Sequence, residues 1–138
     1  LDHKRKQIGN ELIPSAKYKE KPKKLGIAAL DKKILKIYSV DRVRSHAVHQ
    51  YFFEMNQNFQ EVFSCLKKGG TFCIVIGNSI IRDEEIETSK FLLVLLKKLK
   101  FELVKEFSYK IKNPYLRIPR SGKGGIISMD HIIVVRKV

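Results

Sequence analysis

The sequence predicts an α/β protein: one half of an open, doubly wound sheet, preceded by a basic arm. Three observations carry this. Helical periodicity runs unbroken from Val48 to Leu66. A continuous apolar run, residues 71–76, follows it at once. The apolar segments after that read helix, strand, strand, each bounded by glycine, proline or a polar break.

The first 24 residues hold eight Lys or Arg against three acids, are broken by Gly9, Pro14 and Pro22, and show no sustained apolar period. They read as an arm or long loop. Ile27, Leu30, Ile34, Leu35 and Tyr38 then fall at helical spacing and predict a short amphipathic helix. Residues 1–45 thus form a basic arm with a short helix, and residues 46–138 the sheet-bearing part. After Ser45, the residues Val48, Tyr51, Phe52, Met55, Phe59, Val62, Phe63 and Leu66 recur every three or four positions, as on a long helix with one buried face. Lys67 and Lys68 set cations at its negative end, and Gly69 and Gly70 stop it.

Residues 71–76 are apolar at nearly every position, which predicts a central parallel strand buried on both faces. Thr88 or Ser89 is placed to cap a helix running to about Lys100, with Phe91, Leu92, Leu95, Leu96 and Leu99 as its buried stripe. Asp83, Glu84, Glu85 and Glu87 suit the positive end of that helix. In residues 101–111, Phe101, Leu103, Lys105, Phe107, Tyr109 and Ile111 share one side of a half-exposed strand. Ile126, Ile127 and residues 131–135 make the last strand. No helix separates these two strands, so they are predicted to be antiparallel neighbours. A sheet of three strands leaves an open edge, through which a second copy could pair as a homodimer.

The 138 residues suffice for one domain with a real core, and 43% of them are apolar. No apolar run approaches the roughly 20 residues a bilayer requires. The charged opening does not form the core of a signal peptide, so a cytoplasmic protein without a membrane partner is expected. Leu1 in first place, rather than Met, suggests a fragment. Lys and Arg total 28 against 14 acids, a net charge of +14, which attracts a polyanion through Coulomb forces and counterion release. Cys65 and Cys73 are the only cysteines and are expected to be reduced, buried and structural.

Several strings carry a family resemblance. Leu66-Lys67-Lys68-Gly69-Gly70-Thr71-Phe72 resembles the Leu-Lys-Pro-Gly-Gly turn that enters the fifth strand of S-adenosylmethionine-dependent methyltransferases, with Lys68 where many carry proline. Lys112-Asn113-Pro114-Tyr115, Arg117-Ile118-Pro119-Arg120 and Gly122-Lys123-Gly124-Gly125, followed by Asp130-His131-Ile132-Ile133-Val134-Val135, are similar to the end of bacterial and archaeal DNA modification methylases that target an exocyclic amino group. Gly77-Asn78-Ser79 with Arg82, Asp41-Arg42-Val43-Arg44, and His3-Lys4-Arg5-Lys6-Gln7-Ile8-Gly9 fit the same family.

The resemblance implies the C-terminal half of a Rossmann-like methyltransferase sheet. It implies methyl transfer from S-adenosylmethionine to adenine or cytosine in DNA, within a restriction-modification or similar system, and the N-terminal half of the same protein as a missing partner. Family members bind the cofactor at a glycine-rich loop and hold the target amine in an Asp/Asn/Ser-Pro-Pro-Tyr segment. This chain has neither, and no Pro-Pro pair at all. Catalytic and cofactor-binding residues are therefore left unassigned, and the fragment alone is expected to be inactive and to bind S-adenosylmethionine poorly. Asn113-Pro114-Tyr115 lies between the last two strands, the wrong place for the acceptor segment.

Asn78 and Ser79 fall just past the carboxyl end of a strand, where ligands bind in open α/β sheets. With Arg82 they are the substrate-pocket candidates, against a plain strand-to-loop turn. Lys112, Tyr115, Arg117, Arg120 and Lys123 lie in a stretch without a single acid and are the nucleic-acid-binding candidates, against a solvated loop. His46 and His49 share a helix face, yet no third metal ligand is near in sequence, and no metal is expected. Two other readings remain: a noncatalytic nucleic-acid-binding module with a methyltransferase-like sheet, and an RNA methyltransferase fragment.

Overall fold

A computed structural model describes residue 3 and residues 6–112 and 126–138. It divides into two compact units, Leu1–Gln57 and Asn58–Val138. No helix among the described residues is long and apolar enough to cross a membrane.

The first unit contains a 3-10 turn, Ser15–Lys19, helix α1, Ala28–Val40, and the larger part of helix α2, Arg42–Cys65. Leu30, Ile34 and Ile37 form the buried face of α1. Asp31 steadies its start by accepting the Leu25 and Gly26 N–H groups at 2.8 and 3.1 Å. α2 begins earlier than the apolar period suggests. The reason is Asp41, whose carboxylate accepts the Arg44 N–H at 3.0 Å and so caps the new helix at its third residue. The basic arm is tied down rather than loose: Ile13 and Pro22 are buried, and the Tyr18 hydroxyl donates to the Ile13 carbonyl at 2.6 Å.

The second unit holds the end of α2, strand β1 (Thr71–Gly77), the short strands β2 (Ser79–Ile81) and β3 (Glu84–Ile86), helix α3 (Thr88–Lys98), and strands β4 (Phe101–Lys110) and β5 (Met129–Lys137). The order helix, strand, helix, strand, strand matches the sequence reading, with the β2–β3 ribbon added. Gly69, at φ +79°, takes the left-handed place in the turn between α2 and β1, which the Gly70 N–H closes on the Lys67 carbonyl at 2.8 Å. The Gly69 N–H donates to the Lys137 carbonyl at 2.7 Å. The cation at the helix end is Lys137 from β5, whose Nζ donates to the carbonyls of Phe63 and Leu66 at 2.5 and 2.8 Å.

The sheet runs β1-β5-β4, with both pairings antiparallel. The last two strands are antiparallel neighbours, as predicted. The reading of β1 as a central parallel strand buried on both faces is corrected. Among the described residues β1 is an edge strand, antiparallel to β5, because the last strand of the chain inserts between the other two. One face of β1 is covered: Phe72 meets Phe59, and Ile74 is buried. The other shows Cys73 and Val75 to solvent. Cys65 is exposed too, so both thiols are free as expected but neither is buried.

Phe91, Leu92, Leu95 and Leu96 of α3 pack with Ile133 and Val135 in the core of this unit. Phe63 and Phe101 close it edge to face at 5.0 Å. Each such side chain contributes on the order of 1.5–3 kcal/mol on burial. The single-sided alternation predicted for residues 101–111 fails at a bulge between Leu103 and Lys105. Leu103 lies opposite Val135, but Lys105, Phe107 and Tyr109 lie opposite Val134, Ile132 and Asp130, on the other face.

Candidate functional site

A cleft of about 320 Å³ opens at the carboxyl end of β1, lined by Asn78, Ile80 and Glu85 on one side and by residues 126–129 and His131 on the other. Gly77 makes the approach of the second side possible. A Cβ there would come within 2.4 Å of the Ile127 side chain.

Asn78 joins this cleft to α3. Its Oδ1 accepts the Ser89 N–H at 3.2 Å and the Ser89 hydroxyl at 3.1 Å. The capping assigned to Thr88 or Ser89 is corrected accordingly: Glu87 holds the N-cap position without a side-chain bond, and Thr88 turns its hydroxyl back to the Ile86 carbonyl at 3.3 Å. The acceptor for the helix comes from Asn78 instead. With its oxygen so used, the Asn78 amide nitrogen is the group left to meet a ligand.

Ser79 pairs with Ile86 at the base of the β2–β3 ribbon. Arg82 and Asp83 form its turn, both at positive φ, 50° and 64°. Two such residues match the twist of a hairpin. Glu84 and Glu85 lie in β3, so of the four acids only Glu87 stands at the start of α3. The structure therefore brings Asn78 into the cleft but not Ser79 or Arg82, which are absent from its lining. Lys112 is exposed just beyond β4. Tyr115, Arg117, Arg120 and Lys123 lie outside the described residues.

Sequence reasoning missed Glu85, Met129 and His131 as lining residues. His131 is half-buried and pairs with Ile76 on one side and Ser108 on the other. Its signals in the sequence were its place at the start of an apolar strand and in the Asp130-His131 string. Ile80, Ile126, Ile127 and Met129 supply apolar surface, and Asn78 and His131 supply polar groups. An apolar lining with a few polar groups is the usual make-up of a small-molecule cleft.

In the first unit, the His46 Nε2 lies 2.9 Å from the Glu20 carbonyl oxygen, and its ring sits 6.0 Å from those of Tyr18 and Tyr38. His49 stacks on Phe53 instead of joining it. Among the described residues no three His, Cys, Asp or Glu side chains gather as a metal site would require.

No family model and no curated protein matches this chain. Among solved structures, a protein of Thermus thermophilus, provisionally called a DNA modification methylase, aligns with 72% of the chain at 22% identity and a TM-score of 0.52. A second structure of that protein, complexed with S-adenosyl-L-methionine, aligns with 63% of the chain at 24% identity and a TM-score of 0.49. The chain spans 40% of the length of the first and 37% of the second. The likeness to the first is one of fold, an α/β sheet of the methyltransferase type.

Proposed function

We propose that this chain, with the fold of part of a DNA modification methylase, belongs to an enzyme that moves a methyl group from S-adenosylmethionine to an exocyclic amino group of a DNA base. The observation that carries the proposal is the sheet order β1-β5-β4, with the last strand inserted antiparallel, in a chain whose fold aligns with such a protein. The sequence strings around Gly69-Gly70 and Asp130-His131 support the same reading.

An exocyclic amine is a weak nucleophile, so orienting it is most of the catalysis. The share of this chain is that of a wall: the β1 cleft, with the Asn78 amide and the His131 ring, borders the substrate. The cleft residues do not fit the cofactor itself. Among the described residues the lining offers Glu85 and no lysine or arginine to pair with its carboxylate. The glycine-rich turn and the Pro-Pro-Tyr segment must then come from other chain. The edge of β1, Thr71–Gly77, carries no charge or proline to protect it, which suits a strand that further sheet covers. A second copy of this chain is the competing occupant of that edge.

DNA is the polyanion proposed for the net charge of +14, with Lys112, Arg117 and Arg120 in contact with phosphates. Calorimetric titration of the chain with S-adenosylmethionine, alone and with duplex DNA, tests both halves of this reading. The expected result is no cofactor binding, together with DNA binding that weakens steeply with salt. Arg117→Ala and Arg120→Ala each lower the salt slope by about one. Micromolar cofactor affinity would place the cofactor residues within this chain, and duplex binding that ignores salt would remove the DNA contact.

A further inference from the structure

The first unit holds a larger cleft, about 590 Å³, within the range of roughly 300–1,000 Å³ usual for small-molecule sites. One wall is a face of α2, where His49, Gln50, Phe53 and Glu54 follow one another at helical spacing. Lys17, Lys21 and Lys23, all exposed, line the other. Glu20 and Glu54 are its carboxylates, so the cations outnumber them.

Glu54 is held in an unusual state. Gln50 Nε2 donates to its Oε1 at 2.8 Å, while its Oε2 is buried and has no donor among the described residues. Folded proteins satisfy nearly all such atoms, because a buried carboxylate oxygen without a donor loses its hydration and gains nothing for it. Glu54 lines the cleft, and a turn of its carboxylate toward that space would offer the unpaired oxygen to a ligand N–H. Beside it, the His49 and Phe53 rings stack 6.4 Å apart and within 10° of parallel. Phe53 is 49% exposed, which leaves aromatic surface for another flat ring. Burial first, and the neighbouring His46 second, hold the His49 pKa below its ordinary value, so this ring is uncharged at neutral pH and serves as apolar support.

We propose that this cleft takes a nucleoside phosphate whose base carries an exocyclic amino group. The amine donates to Glu54, the base stacks on Phe53, and the phosphate meets Lys17, Lys21 and Lys23. The inference goes beyond the methyl-transfer reading and stands without it, since its test uses no cofactor.

The test is calorimetric titration of the full chain with the monophosphates of adenosine, cytidine and uridine. Adenosine and cytidine present an amine where uridine presents a carbonyl, and the chain is expected to bind them about tenfold more tightly than uridine monophosphate. Glu54→Gln leaves an oxygen for Gln50 and puts an NH₂ at the position of Oε2, so the preference should reverse toward uridine. Unfolding cannot produce a reversal. Phe53→Ala, at an exposed position, should weaken all three and keeps the proposal testable if Glu54→Gln does not fold. A parallel titration with single-stranded oligodeoxycytidine identifies the source: much tighter binding than the monophosphate points to a nucleic-acid strand, and equal binding to a free nucleotide. Failure of the unaltered chain to bind any monophosphate at millimolar concentration, or a base preference unchanged by Glu54→Gln, overturns the proposal.

Discussion

His49 shows what a single residue can carry. Its pKa is pushed below the ordinary 6.5, first by burial and then by His46. The folded protein therefore resists a proton that the unfolded chain accepts near 6.5. Above that pH the group is neutral in both states and has no effect. As pH falls through it, the unfolded state gains protons first and stability declines, levelling once the lower folded pKa is passed. A melting temperature that drops between about pH 7.5 and 5.5, with a shallower drop in His49→Gln, is the expected outcome. Equal slopes in the two proteins would place the pH sensitivity elsewhere. The sequence showed His46 and His49 three residues apart but could not show their partners. In the structure the Glu20 carbonyl lies against His46 Nε2, and His49 stacks on Phe53.

Among the elements, the helices were the most legible. The apolar stripes of α1, α2 and α3 rest on local spacing, and each appears in the structure within a few residues of its expected place. Ends were less so, because caps come from afar: Asn78 serves α3 and Lys137 serves α2. The β2–β3 ribbon escaped notice because its turn uses Arg82 and Asp83 in place of glycine or asparagine. The cap makes a clear prediction. Asn78→Ala removes both acceptor bonds to Ser89 and should destabilise the second unit by about 1 kcal/mol, seen as a lower melting temperature. Asn78→Asp keeps an acceptor, adds a favourable charge at the helix start, and should melt as the unaltered protein does. An unchanged melting temperature in Asn78→Ala would leave Asn78 a ligand-facing role alone.

At the scale of the whole molecule, pairing across the sheet was the hardest property to foresee. The apolar run of β1 said that it lay in a sheet but not beside which strand, since β5 arrives from the far end of the chain. The same insertion put the last strand at the centre of the three, where Ile133 and Val135 have no exposure. Of the candidate site, Asn78 was legible from its position after a strand, whereas His131 and Met129 reach the cleft only through the register of β5 with β1. The bulge in β4 has a further meaning when the strand is counted as an alternating code. Val104 is the one residue without a partner on β5, a spare letter that lets the code restart in the opposite phase. Its deletion should leave Phe107 opposite Ile132 and the protein folded, with a straighter strand. Deletion of Glu106 instead advances every later residue by one pairing and turns Phe107 and Tyr109 to the other side. Circular dichroism and thiol labelling at Cys73, which shares the exposed face with Phe107, would separate the two deletions. The length of this strand is thus free to change at one position and fixed at the next.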